Sequence, residues 1–302
     1  MKVLITGATG LVGSALVSEL RQAGIHVHYL TTRKEKIRDE VDYKGFHWDP
    51  EQNAIDLNCF EGVSVIVNLA GANIASRWTP SYRKKIQQSR TDSLQTLKNG
   101  LSGKVSHQVE YLLSASAIGI YPSSLTDFYT EETRAVDPGF LGETVVKWEQ
   151  GAKEFSGIGI PQGIMRIGLV LAGQGGALPE MARPIRLGVG SPLGSGQQWQ
   201  SWIHIRDLAR MIRFCLEERL EGVFNAVAPN PVTNQKLTRE IAAVLGRPLW
   251  LPKVPAWALR MVLGEMSRLL LASQRVSSEK IEAEGFEFEF KNVHRALEDL
   301  LS

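Results

Sequence analysis

Short β-branched and aliphatic runs alternate with segments of helical periodicity through the first half of the chain, the pattern of βαβ units feeding a parallel sheet. Residues 2–6 read as a first strand and 14–23 as the helix behind it, stopped by Gly24. Val27 to Thr31 and Gly45 to Trp48 follow as strands, and Val63 to Ala70 is apolar enough to be buried on both faces. Thr79-Pro80 opens a long polar helix running to about Gly100. Tyr111 to Ser116 reads as a fifth strand, 138–156 as a helix and Gln162 to Leu171 as a sixth strand. The pattern predicts an α/β fold with a doubly wound parallel sheet.

Beyond residue 171 the periodicity gives way to glycine and proline. Residues 173–196 specify backbone freedom rather than regular structure, and a loop of that length is functional or mobile. The chain returns to the sheet at Trp202-Ile203-His204, with a helix from about Asp207 and a strand over Val223 to Val227. The expected division is a dinucleotide-binding domain over 1–228, of which 172–200 joins a substrate lobe, and a smaller C-terminal domain over 229–302. The apolar stretch 255–271 is expected to pack into a core, although Arg260, Glu265 and Arg268 interrupt it.

Composition narrows the class. The 302 residues are 43% hydrophobic and 22% charged, ordinary for a globular enzyme, with a formal net charge of +2. Arg83-Lys84-Lys85 is the strongest basic run and reads as a solvated helix face, so nucleic acid is not expected as a partner. Cys59 and Cys215 stand far apart among apolar residues, which argues against disulfides or a metal site and for a reduced, cytoplasmic setting. No apolar run is long enough for a signal peptide's core or a membrane span. A small-molecule substrate is the partner expected, no membrane is, and an oligomer is compatible with the sequence.

Chemistry enters with Gly7-Ala8-Thr9-Gly10-Leu11-Val12-Gly13, a G-x-x-G-x-x-G placed directly after a strand and before a helix. Glycine permits the tight turn and lets the main chain approach a pyrophosphate, held by the N–H groups at the helix start. A dinucleotide cofactor in a Rossmann-type domain follows, with Gly7, Thr9, Gly10, Leu11, Val12 and Gly13 around it. At the end of the second strand, where an NAD enzyme places an acidic residue to accept from the ribose, the sequence reads Thr31-Thr32-Arg33-Lys34. Arg33 and Lys34 favour a 2′-phosphate, and hence NADP(H). Leu69, Ala70 and Gly71 end the fourth strand, where small residues let a ribose lie against the backbone. Ser114 and Arg166, at the ends of the fifth and sixth strands, complete the cofactor set.

The motifs TGATGLVG at Thr6, NLAGANI at Asn68, QSRTDSLQTL at Gln88, LSASAIGIY at Leu113 and VVKWE at Val145 resemble those of extended short-chain dehydrogenases/reductases. The block GVGSPLGSGQQWQSWIHIRDLA ending at Ala209 is similar to the atypical epimerase-family branch, putative nucleoside-diphosphate-sugar epimerases with an appended C-terminal domain. The resemblance covers nearly the whole chain. It implies hydride chemistry at a nicotinamide, with a Ser or Thr after the fifth strand and a Tyr-x-x-x-Lys pair.

Ser116 matches the serine by position. The pair is missing: none of Tyr29, Tyr43, Tyr82, Tyr111, Tyr121 or Tyr129 is followed by Lys at the fourth position, and the expected place reads Phe140-Leu141-Gly142-Glu143-Thr144-Val145. Without a cation to lower it, a phenol titrating near 10 is a poor base. Tyr121 is the remaining catalytic candidate and His204 a candidate substrate contact; Lys147 is a third position to weigh. Each has a plain alternative, Tyr121 as a packed ring, Lys147 as a solvent-facing cation and His204 as a satisfied core histidine. Two readings stand at this point. One is an NADP(H)-dependent oxidoreductase or epimerase acting on a carbonyl compound or nucleotide sugar; the other is a non-catalytic NADP(H)-sensing protein.

Overall fold

The computed structural model describes residues 1–103 and 107–301. Strands β1 (Lys2–Thr6), β2 (His26–Thr31), β3 (Tyr43–Asp49), β4 (Ala54–Ile55), β5 (Val65–Asn68), β6 (Tyr111–Ala117), β8 (Gln162–Ile167) and β12 (Gly222–Ala226) form one sheet in the order β12-β8-β6-β5-β1-β2-β3-β4. A short strand β7 (Phe128–Tyr129) lies outside it. All neighbours in the sheet run parallel except β3 and β4. The order reverses between β1 and β5, so a crevice opens there at the carboxyl ends of the strands.

Helices cover both faces, as buried parallel strands require. On one face α1 (Leu11–Gln22) and α5 (Ile205–Glu217) bury Leu16, Leu20, Leu208, Met211 and Ile212 against Val3, Ile5 and Val67. On the other, α2 (Pro80–Gly103) and α3 (Phe140–Lys153) bury Leu94, Leu97, Trp148 and Ala152 against Leu4, Ile66 and Leu112. A third core joins the stretch after the sheet to the C-terminal segment: Leu171, Leu178, Ala182, Ile185 and Trp202 pack with Leu237, Ile241 and Leu297.

Three expectations are corrected. The strand read over 162–171 breaks at Gly168, where a Cβ would fall 2.3 Å from the Ser201 carbonyl oxygen. β8 therefore stays in the large sheet while β9 (Leu169–Leu171) turns out to pair with β11 (Trp202–His204), the small strand β10 (Trp199–Gln200) lying just before it. The glycine-rich stretch is not free of regular structure: α4 (Ala177–Arg186) forms inside it and buries Leu178, Ala182 and Ile185. The stretch 255–271 enters a core only in its second half, where Met266 and Leu269 pack with Trp78, Ile86 and Phe140. Its helix α7 (Ala256–Leu263) buries no residue, and Trp257, Met261 and Val262 are 65%, 71% and 80% exposed.

Beyond the sheet, β13 (Val232–Thr233), α6 (Asn234–Val244), α8 (Ser267–Leu271), β14 (Arg275–Val276), α9 (Glu279–Ala283) and α10 (Val293–Leu301) complete the chain. Among the described residues no helix is long and apolar enough to cross a membrane.

Candidate active site

The glycine loop is a backbone device. Gly7 sits at φ +70°, a conformation that favours glycine, and a Cβ on it would fall 2.8 Å from the Leu69 carbonyl oxygen. Gly13 is packed just as closely, since a Cβ there would stand 2.2 Å from the Gly7 carbonyl oxygen. Between them the Gly10 N–H donates to that carbonyl at 2.9 Å, and Gly10 starts α1 with no side-chain cap. The first-turn N–H groups are left for an anion. Thr6 joins this loop to the next strand: its Oγ1 donates to Asn68 Oδ1 at 2.7 Å and accepts the Leu69 and Ala70 N–H groups at 3.0 Å each. Asn68 is fully buried, yet its Nδ2 finds no partner within the chain. An acceptor-bearing group fits that orphaned donor.

At the end of β2, Thr31 Oγ1 accepts the Arg33 N–H at 3.1 Å and fixes the turn. Arg33 and Lys34 are exposed beyond it, and no ion pair engages either among the described residues. Thr9 and Gly10 are exposed, Leu11 and Val12 half-buried, and Leu69, Ala70 and Gly71 come off β5 beside the loop. The expected cofactor residues from the first, second and fourth sequence strands thus line one edge of the sheet. Glycines, uncapped N–H groups and free cations are a donor set that fits a phosphorylated dinucleotide.

The reaction end differs. Ser116 Oγ donates to Glu149 Oε1 at 2.8 Å; Arg166 clasps the same carboxylate through Nε at 2.8 Å and Nη2 at 2.9 Å, and its Nη1 reaches the Tyr121 hydroxyl at 3.0 Å. Tyr121 donates onward to Asn225 Oδ1 at 2.8 Å. All five side chains are buried. Burial pushes the Tyr121 phenol above its ordinary value, and the neighbouring Arg166 only partly opposes this. Burial disfavours the Arg166 cation too, but its hydrogen bonds and charge contact with Glu149 outweigh that, so its value is raised. The structure brings Ser116, Tyr121 and Arg166 together, as a closed network beneath the crevice. Arg166, expected to hold the cofactor, spends its guanidinium on Glu149 and Tyr121 instead. Ser114 is buried beside it and donates to the Ala115 carbonyl.

His204 is also corrected. Its Nδ1 accepts the Arg206 N–H and caps α5, its Nε2 meets Asp299 at 3.2 Å, and its ring stacks on Phe290 at 3.8 Å. A ring 1% exposed with both nitrogens engaged has no edge left for a substrate. Arg206 reaches Glu289 and Asp299, and Asp207 accepts the Glu289 and Phe290 N–H groups at 2.9 Å. The block that reads WIHIRDL is a seam binding the C-terminal segment to the sheet domain. Where the tyrosine is expected, Phe140 packs with Trp78, Ile86, Met266 and Leu269, and the Arg83 guanidinium lies 4.5 Å over its ring. Lys147 is exposed. No group of His, Cys, Asp or Glu among the described residues is arranged to hold a metal ion.

The model of the NAD dependent epimerase/dehydratase family matches residues 3–140, and that of a domain of unknown function, DUF1731, matches residues 254–300. An epimerase family protein of Staphylococcus epidermidis is 40% identical over 305 residues, covering 99% of each chain. The chain belongs to the epimerase family. A relative in that family from Staphylococcus haemolyticus is likewise 40% identical over 301 residues, 99% of this chain and 98% of its own. Among solved structures, the human epimerase family protein SDR39U1 (isoform 2) with NADPH superimposes with a TM-score of 0.85 at 29% identity, covering 99% of both chains. A nucleoside-diphosphate sugar epimerase from Corynebacterium glutamicum gives 0.78 at 28% identity and covers 99% of this chain but 58% of its own. The family supports NAD(P) binding and an epimerase- or oxidoreductase-like function here.

Two residues of this family member escaped the sequence reading. Glu149 is the hub of the buried network, and its signal lay in the helix: Val145, Trp148, Glu149 and Ala152 all fall on the buried face, so an acid stands in an apolar stripe. The other is Arg90, on the buried side of α2.

Proposed function

We propose that this chain binds NADP(H) and transfers hydride between it and a small carbonyl compound or nucleotide sugar, without a Tyr-x-x-x-Lys pair. One observation carries the reading: β2 ends in a turn bearing the unpaired Arg33 and Lys34, beside a glycine loop that ends in an uncapped helix. An NAD enzyme has a carboxylate at that turn; a guanidinium there meets a 2′-phosphate with a planar donor fork. The NADPH carried by the human relative supports the same choice. When bound, the nicotinamide supplies or accepts the hydride. The residues of this chain anchor the dinucleotide at one end and, through Glu149, Arg166 and Tyr121, brace the strands at the other.

The missing phenol favours one rival, a cofactor-sensing protein with no turnover, because Ser116 and Tyr121 are already spent on the buried network. A screen on the pure protein decides between them, following NADPH absorbance with carbonyl compounds and product formation by chromatography with nucleotide sugars, since an epimerisation returns the hydride and leaves the cofactor unchanged. Turnover with any class upholds the enzyme. Tight NADPH binding without turnover, together with NADPH-dependent hydrogen-exchange protection of 173–196, upholds the sensor.

A further inference from the structure

Arg90 lies between α2, α3 and the turn after β5. Its Nη1 donates to the Ile86 carbonyl at 2.8 Å, and both terminal nitrogens reach the Ala72 carbonyl only at 3.4–3.5 Å. Its guanidinium carbon stands 4.8 Å over the Trp148 ring. No carboxylate pairs with it among the described residues, unlike Arg166, whose fork is filled by Glu149. Burial pushes the Arg90 guanidinium down to about 10, an effect that the Tyr82 phenol only partly offsets. A desolvated cation without a counter-charge is costly, and such groups persist where a ligand supplies the missing charge.

Two further observations point to the same place. The indole Nε1 of Trp148, 93% buried by the residue's 7% exposure, has no hydrogen-bond partner. Gly71 is the residue that lets the guanidinium approach the strand end, since a Cβ there would lie 3.1 Å from its Cζ. The turn it approaches is the one that borders the glycine loop, through Thr6 and the Leu69 and Ala70 N–H groups. We propose that Arg90, framed by Gly71 and Trp148, is an oxyanion-binding site in the crevice.

The ligand is a planar or branched oxyanion able to accept a guanidinium fork. It comes either from the cofactor's pyrophosphate or from a carboxylate on the substrate. The inference rests on reading this crevice as the dinucleotide and substrate cleft.

The test uses the full chain and the variants Arg90→Gln, Arg90→Lys and Gly71→Ala, with circular dichroism on each. NADPH, and 2′-phospho-ADP-ribose, which keeps the pyrophosphate and both riboses and lacks only the nicotinamide ring, are titrated first. Benzoate and neutral benzamide are then titrated into the NADP⁺-saturated protein while Trp fluorescence is followed. If the pyrophosphate is the ligand, Arg90→Gln weakens both dinucleotides roughly 10- to 100-fold and Arg90→Lys recovers part of the loss. If a substrate carboxylate is the ligand, dinucleotide affinity is unchanged, benzoate but not benzamide quenches the wild type, and Arg90→Gln abolishes the quench. Gly71→Ala keeps the charge and shifts the guanidinium slightly, so it gives a smaller loss in the same titration as Arg90→Gln; Arg90→Met stands in for Arg90→Gln should that variant misfold. Wild-type behaviour of Arg90→Gln in every titration overturns the proposal and leaves Arg90 as a latch on Ala72. If the wild type binds neither dinucleotide, the cofactor reading fails; inorganic pyrophosphate titrated into wild type and Arg90→Gln then decides the arginine separately.

Discussion

The two ends of the crevice are built on opposite principles. At the cofactor end the chain leaves polar groups open: uncapped N–H groups on α1, an orphaned Asn68 amide and free cations at Arg33 and Lys34. At the reaction end Ser116, Arg166 and Tyr121 are consumed by one another, closed around Glu149. Open donors await a ligand, whereas closed ones hold strands together.

The contrast breaks most readily at Glu149. Glu149→Ala leaves the Arg166 cation buried and unpaired and is expected to cost about 3–5 kcal/mol of stability. Chemical denaturation measures it; a loss of turnover with stability intact shows instead that the network faces the reaction. Gly10→Val gives the opposite result. Gly10 has φ −82°, which a branched residue tolerates, and a Cβ there meets only the Gly7 carbonyl oxygen at 3.2 Å. Cofactor affinity therefore collapses while circular dichroism and melting stay close to wild type, and retained NADPH binding refutes the open-donor account of this end.

Arg33→Ala sharpens the comparison further. Losing one charge-assisted contact is expected to cost about 1.5–3 kcal/mol of NADPH affinity and to leave NADH unchanged. Equal affinities for the two cofactors on the unmodified protein rule the assignment out.

The smallest effect belongs to the seam at His204. Burial lowers this imidazole below its ordinary 6.5, an effect that Asp299 only partly offsets. The unfolded chain therefore binds a proton at a higher pH than the folded one. Stability is full above about pH 6.5, falls as the pH drops below it, and levels off under the folded-state value. His204→Asn keeps a capping acceptor without the titration, so its melting temperature is expected to fall less steeply over this window than that of the wild type. Parallel slopes rule out His204 as the titrating group.

The local geometry of the glycine loop and of the turn after β2 was legible from sequence because it is set within a few residues. Glycines at fixed spacing between a strand and a helix, and a basic turn after the next strand, each carry their meaning within a few residues. The sheet read well for the same reason, as buried parallel strands announce themselves as apolar runs. The break at Gly168 did not, because its cause is the Ser201 carbonyl, more than thirty residues on. α4 was hidden by flanking glycines and by Pro184, although Leu178, Ala182 and Ile185 keep helical spacing. The reaction end was hardest to read because its roles are set by contacts between distant segments. Ser116 is 33 residues from Glu149, and Tyr121 is 104 from Asn225. His204 looked like a chemical group because its partners, Asp299 and Phe290, lie at the far end of the chain.

The seam has an evolutionary consequence. Asp207 holds the Glu289 and Phe290 amides, 82 and 83 residues away, while Arg206 and His204 share Asp299. The first partners stand in the sheet domain and the second in the C-terminal segment, so neither half is free to drift alone. A chimera that joins the first 250 residues of this chain to the tail of a relative is expected to melt somewhat lower where that tail lacks an acid at the place of Asp299 than where it brings one. The two segments are thus fitted to each other, so a gene fusion that exchanged one without the other is expected to lower folding stability before any change in chemistry is felt.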